Sequence, residues 1–266
     1  MSQMDGRSPL PLPLLRRTGA DHGARSGADE KKLAPVTAPA AFTHKRQSRY
    51  CVGNGTALPV LIDDALNLHS LICNALPDID CRVVELIAAH PGAGVSTLAR
   101  SLAYVAATIG NLRVLICDAS RNGDNFKFYG VTPPPAALGD LALGRAGLHE
   151  VLAKVPFLNF SLCAVGDPAA ADRLASHPDI LDPAFTVLRE CFELVIIDAP
   201  PASGNILGAA LARKADRVVV VLEAEKTRTH AAKAAHRAIE ANGGQLLGAV
   251  LNKRQFHIPK ALYRWL

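Results

Sequence analysis

The sequence predicts an α/β domain built on a doubly wound, mostly parallel sheet, and three observations carry that prediction. Several strands read as unbroken apolar runs, such as CRVVELIAA (81–89), FELVIIDAPP (192–201) and RVVVVLEA (217–224). These runs alternate with segments of helical periodicity. Continuous apolar strands separated by helices describe a sheet buried on both faces, which is the parallel arrangement. The third observation is a glycine-bearing turn, AAHPGAGVST (88–97), placed directly between the first run and a long alanine-rich segment.

Taken in order, residues 1–46 are rich in Pro, Ala, Gly, Arg and Ser and show no periodicity, so they are expected to form a disordered leader. Leu66, Leu68, Leu71, Ile72 and Leu76 fall at mostly helical spacing within 59–76, which predicts a helix ahead of the core. The strand 81–89 leads through the glycine turn into a helix over about 95–109. RVLICDAS (113–120) is the second strand, and a polar, glycine-bearing loop follows. A short helix is expected over 148–155 and a third strand over 157–166. Helices near 168–175 and 180–191 precede the strand centred on Val195-Ile196-Ile197. A helix near 204–213, the strand 217–224, a helix over 226–243 and the strand 245–253 complete the pattern. The domain boundaries expected are a leader at 1–46, one α/β domain over 58–254 and a tail over 255–266.

Composition narrows the function classes. The first 50 residues carry nine of the 29 Lys and Arg but four of the 24 Asp and Glu, so the excess basicity sits in the leader and the folded part is balanced. A neutral domain gives no footprint for nucleic acid. No apolar run reaches the ~18 residues of a membrane span. The six cysteines include no C-x-x-C pair and the nine histidines no H-x-x-x-H or H-E-x-x-H, so zinc and disulfide frameworks are not indicated. Reduced thiols and a cytoplasmic location are the expectation.

The glycine turn is where chemistry is expected. In G-x-x-x-x-G-K-[ST], successive backbone amides and a helix N-terminus cradle phosphates, the lysine reaches the terminal phosphates, and the hydroxyl holds Mg²⁺. Here Gly92, Ala93 and Gly94 form the turn and Ser96 and Thr97 supply hydroxyls, but Ala89 stands at the first glycine and Val95 at the lysine. A preorganised donor of that kind is worth about 3–4 kcal/mol, roughly 10²–10³ in rate. The backbone can still hold a diphosphate without it. Asp198, closing an apolar strand before Pro200-Pro201, has the position of a carboxylate that orients Mg²⁺ or water; a turn cap is the plainer alternative. His90, within the turn, reads as a solvated loop residue.

The order of strand, P-loop, helix, VLICDASR, FELVIIDAPP and GAVLNK resembles the bacterial tyrosine kinases of polysaccharide export, relatives of the MinD/ParA P-loop ATPases. The resemblance covers about residues 58–254. It implies a P-loop NTPase fold, binding of ATP or ADP with Mg²⁺, and work beside a membrane polysaccharide co-polymerase. By the same resemblance, Asp118 and Asp198 are the acidic residues of the site, with Ser96, Asp118 and Asp198 as Mg²⁺ ligands. Asn252 falls where relatives use an asparagine against adenine.

The departures are as informative as the matches. The family's D-x-D-x-R motif keeps Asp118 but has Ser120 at its second acid and Asn122 at its arginine, with Arg121 one place early. Its E-x-x-R-x-x-R assembly helix falls near residues 64–70, which hold no arginine, and its C-terminal tyrosine cluster is reduced to Tyr263. The expectation is therefore a kinase-like protein of exopolysaccharide or capsule synthesis with little or no catalytic activity, peripheral to the membrane through its partner. An active autophosphorylating kinase and a MinD/ParA-type positioning ATPase are the alternatives.

Overall fold

In a computed structural model, the residues described are 48–51, 57–60, 62–120, 123–156, 158–166, 168–203 and 205–254. The expected leader, the tail with Tyr263, and Arg121 and Asn122 lie outside them. The chain begins with a hairpin of β1 (Ser48–Cys51) and β2 (Ala57–Val60), followed by α1 (Ile62–Ala75). Then come β3 (Arg82–Ala88), α2 (Val95–Thr108), β4 (Val114–Asp118), α3 (Asp124–Tyr129), α4 (Leu138–Ala142) and α5 (Leu148–Val151). The second half holds β5 (Ala153–Lys154), β6 (Phe160–Ala164), α6 (Pro168–Ser176), α7 (Asp182–Cys191), β7 (Leu194–Asp198) and α8 (Ile206–Leu211). It ends with β8 (Arg217–Glu223), α9 (Thr229–Ala241) and β9 (Leu246–Asn252).

Among the described residues the main sheet has seven strands in the order β5-β6-β4-β7-β3-β8-β9, all parallel except the two-residue β5. Every residue of β4 and β7 is buried, as continuous apolar sequence requires when both faces are covered. Alternation along each strand divides the core in two. Val84, Leu86, Ile116 and Ile196 face Leu68 and Ile72 of α1 and Leu98, Leu102 and Ala106 of α2. Val83, Ile87, Leu115 and Val195 face Leu174, Leu188, Leu207, Leu211 and Ile239 of the later helices.

Two expectations are corrected. The stretch 121–147 holds α3 and α4 rather than a plain loop, because Phe126, Tyr129 and Leu138 find buried places in the core. The helix expected over 148–155 is a single turn, after which Ala153 and Lys154 pair antiparallel with Leu162 and Ser161 at the sheet edge. Among the described residues no helix is long and apolar enough to cross a membrane.

Sequence order runs from β3 through α2 to β4, and β4 lies beyond β7 in the sheet. The carboxyl ends of β3, β7 and β4 are therefore side by side, and the crevice outside them is where open α/β sheets bind ligands.

Candidate nucleotide site

The turn after β3 is shaped by its glycines. Gly92 and Gly94 have φ of 83° and 99°, a backbone that other residues adopt only with strain. A Cβ on Gly92 would meet nothing within 4 Å, so open space lies over the turn. A Cβ on Gly94 would collide with the Asn252 amide. Gly94 caps α2, and the first bond of the helix runs from the Leu98 amide to the Gly94 carbonyl at 3.0 Å. The preceding amides of the first turn, Val95 to Thr97, have no intrahelical acceptor, which leaves them for an anion. Val95 is half-buried and packs against the core on the α2 face.

Asp118 and Asp198 end neighbouring strands at the same register, both only 2% exposed and both on the α2 face. One Asp118 oxygen accepts the Ser120 amide at 2.9 Å and the other the Asn125 amide at 3.0 Å. The Ser120 hydroxyl accepts the Asp124 amide, the first of α3, at 3.2 Å. Asn125, fully buried, is the hub. Its side-chain amide donates to Asp198 at 2.7 Å, and its carbonyl accepts from Arg100 Nε at 2.9 Å. The Arg100 guanidinium lies 4.1 Å from the centroid of the Phe128 ring. Burial pushes the Asp198 carboxyl up to about 6; the Asn125 and Ser96 hydrogen bonds oppose that shift and the Asp118 charge adds to it.

On the other side, the turn is clamped by the ends of β8 and β9. Asn252 donates its amide to the Ala93 carbonyl at 2.8 Å. Lys253, next in the chain, donates to the Gly92 carbonyl at 2.5 Å and lies 3.4 Å from Glu223. His90 is not merely solvated. It is half-buried, and its Nε2 is 2.7 Å from the Thr227 hydroxyl, which also accepts the Glu223 amide at 2.8 Å.

Comparison with known proteins agrees with this geometry. The chain is 28% identical over 213 residues to EpsB of Ralstonia nicotianae, a candidate tyrosine-protein kinase, a match covering 79% of this chain and 28% of that protein. It is 24% identical over 183 residues to the tyrosine-protein kinase CpsD of Streptococcus pneumoniae serotype 4, covering 67% of this chain and 79% of CpsD. The kinase domain of the Escherichia coli tyrosine kinase ETK superposes with a TM-score of 0.64 at 18% identity, over 82% of this chain and 86% of that one. The chain is similar in sequence to proteins named as bacterial tyrosine kinases, and similar in fold to the ETK kinase domain. The fold reaches further: cobyrinic acid a,c-diamide synthase of Mycobacterium smegmatis, solved with ADP and magnesium, superposes with a TM-score of 0.54 at 24% identity, over 64% of this chain and 74% of that one. No family model matches the chain. It spans little more than a quarter of the length of EpsB.

The residues present fit a nucleotide in part. The open space over Gly92, the first-turn amides and the Ser96 and Thr97 hydroxyls suit a phosphate chain. Ser96 and Asp198 stand together, as Mg²⁺ binding beside a P-loop requires. Among the described residues no group of three or more His, Cys, Asp and Glu is arranged to hold a metal. Sequence reasoning missed Asn125, Arg100 and Thr227. Asn125 lies in RNGDNF, which reads as a turn, and nothing local announces its contact with a strand 73 residues away.

Proposed function

We propose that this chain is a nucleotide-binding, tyrosine-kinase-like protein of exopolysaccharide or capsule synthesis. In this reading it is catalytically degenerate and acts as a regulatory partner of a membrane polysaccharide co-polymerase, on the cytoplasmic face. The observation that carries the reading is the turn itself: Gly92 and Gly94 keep the left-handed backbone that a phosphate loop needs, whereas Val95 places an apolar side chain against the core where catalysis wants a cation. Without that charge, backbone amides still neutralise a diphosphate, but the charge developing on the transferred phosphoryl group is left uncompensated.

The roles follow from position. Amides of Gly92 to Thr97 hold the phosphates, and Asn252 is assigned to the adenine edge, a contact for which its side chain would exchange its bonds to the Ala93 carbonyl and the Lys253 amide. Ser96 and Asp198 would hold Mg²⁺, whose chemistry is to neutralise phosphate charge and align the nucleophile. Asp118, with both oxygens accepting backbone amides, positions the β4 end and α3. The relation to CpsD, EpsB and ETK supports the pathway, and the kinship with an ADP-bound neighbour supports the ligand.

The test is phosphate release by the pure chain with ATP and Mg²⁺, beside an Asp198→Ala variant. Equal, near-background rates are expected. Turnover clearly above that of the variant would restore the active kinase.

A further inference from the structure

The lysine absent from the loop has a counterpart elsewhere in the chain. We propose that Lys253, at the end of β9, supplies the positive charge to the nucleotide phosphates that Val95 does not. This inference rests on the nucleotide-binding reading above.

Four observations support it. Lys253 Nζ already lies on the turn, 2.5 Å from the Gly92 carbonyl, and its Cε is 4.0 Å from where a Cβ on Gly94 would sit. The backbone of Lys253 has φ of 57°, in the left-handed region that costs a non-glycine residue about 1 kcal/mol or more. Glycine or asparagine would occupy that position more easily, yet a lysine stands there, and the Asn252 side chain accepts its amide at 2.8 Å. Third, the contacts that hold Nζ are cheap to exchange. The Lys253 side chain is 48% exposed, and Glu223, whose side chain is 13% exposed, lies 3.4 Å away, at the long end of a hydrogen bond. Fourth, moving Lys253 leaves no orphan charge, because Lys226 Nζ lies 3.3 Å from the other Glu223 oxygen. The Gly92 carbonyl is on an exposed residue and water can take over its bond.

Phosphate is the stronger acceptor. A charge-assisted bond from an ammonium to a phosphate oxygen is shorter and roughly twice as strong as one to a neutral carbonyl. Lys253 thus waits on a weak acceptor within reach of the place a strong one would occupy. The arrangement serves binding and leaves the missing catalytic lysine uncompensated, since this cation comes from the strand side and not from the helix that follows the turn.

The experiment is calorimetric titration of the full chain with ADP and with ATP at low and high salt, repeated for Lys253→Gln and Lys253→Arg. The expected result is a roughly tenfold to hundredfold weaker affinity for Lys253→Gln, the range set by a hydrogen bond to a charged group. Its salt dependence should also be shallower, whereas Lys253→Arg keeps most of the affinity. Adding Val95→Lys to Lys253→Gln should recover binding. Unchanged or tighter binding by Lys253→Gln would overturn the assignment and leave the nucleotide site standing. Absence of binding by the unaltered chain would overturn both.

Discussion

The two sides of the site are held in opposite ways. On the strand side, His90, Thr227, Asn252 and Lys253 grip the turn through its carbonyls and its flanking residue, so the amides facing the crevice are left for a ligand. On the acidic side, three of the four carboxylate oxygens of Asp118 and Asp198 accept from the Ser120 amide, the Asn125 amide and the Asn125 side chain. One half is held through its carbonyls, with the Lys253 contact the one open to exchange; the other turns its functional groups inward. This arrangement fits the proposed reading, in which the site holds phosphate and does not move it.

That contrast can be broken most severely at Asn125. Asn125→Ala removes the donor to Asp198 and the acceptor for Arg100, leaving a buried carboxylate and a half-buried guanidinium each short of a partner. A loss of about 3 kcal/mol in denaturant unfolding is expected, since such networks are worth more than separate bonds. A loss well below 1 kcal/mol would mean the acidic side is not braced by this residue.

Gly94→Ala attacks the other side. It forces a Cβ into the Asn252 amide at a φ of 99°, with an expected loss of about 2 kcal/mol and of nucleotide binding. Retained affinity would show that the turn tolerates displacement of Asn252.

A third carboxylate sharpens the comparison by having no brace. Glu85, in the middle of β3, is fully buried, and neither oxygen has a hydrogen-bond partner among the described residues. Burial pushes its carboxyl well above the usual value of 4.5, so the folded chain keeps a proton that the unfolded chain releases. Stability contributed by that proton is therefore full below pH 4.5 and falls as pH rises toward the folded value. Glu85→Leu should raise stability at neutral pH by about 1–2 kcal/mol and flatten this decline, which unfolding at several pH values would measure. Destabilisation at neutral pH would mean that the carboxyl has a partner and belongs with Asp118.

The smallest effect is expected at His90. His90→Ala breaks one bond to Thr227 and should cost about 1 kcal/mol with a few-fold loss of nucleotide affinity. A loss as large as that at Gly94 would make His90 a phosphate ligand.

Much of the fold was legible because the chain writes a buried strand and a covering helix in different periods. β3, β4, β7 and β8 follow from unbroken apolar runs, and the turn between β3 and α2 follows from two glycines. The short α3 and α4 were not legible, since five or six residues carry less than two turns of periodicity and are held by tertiary contacts of Phe126 and Leu138. Within the site, Gly92, Gly94, Ser96, Asp118, Asp198 and Asn252 were picked out by motif position, and the fold gathers them at the carboxyl ends of adjacent strands. Asn125 and Lys253 were not, because their importance lies in contacts across 73 and 161 residues and in a left-handed backbone that lysine does not advertise.

The central claim is that nucleotide binding has outlasted catalysis, and titration of the full chain with ADP and ATP, each with and without Mg²⁺, tests it most directly. What is missing, Val95 for lysine and Ser120 for an acid, acts chiefly on the terminal phosphate and its metal. The account predicts similar affinities for ADP and ATP and little gain from Mg²⁺. A strong Mg²⁺-dependent preference for ATP would contradict it.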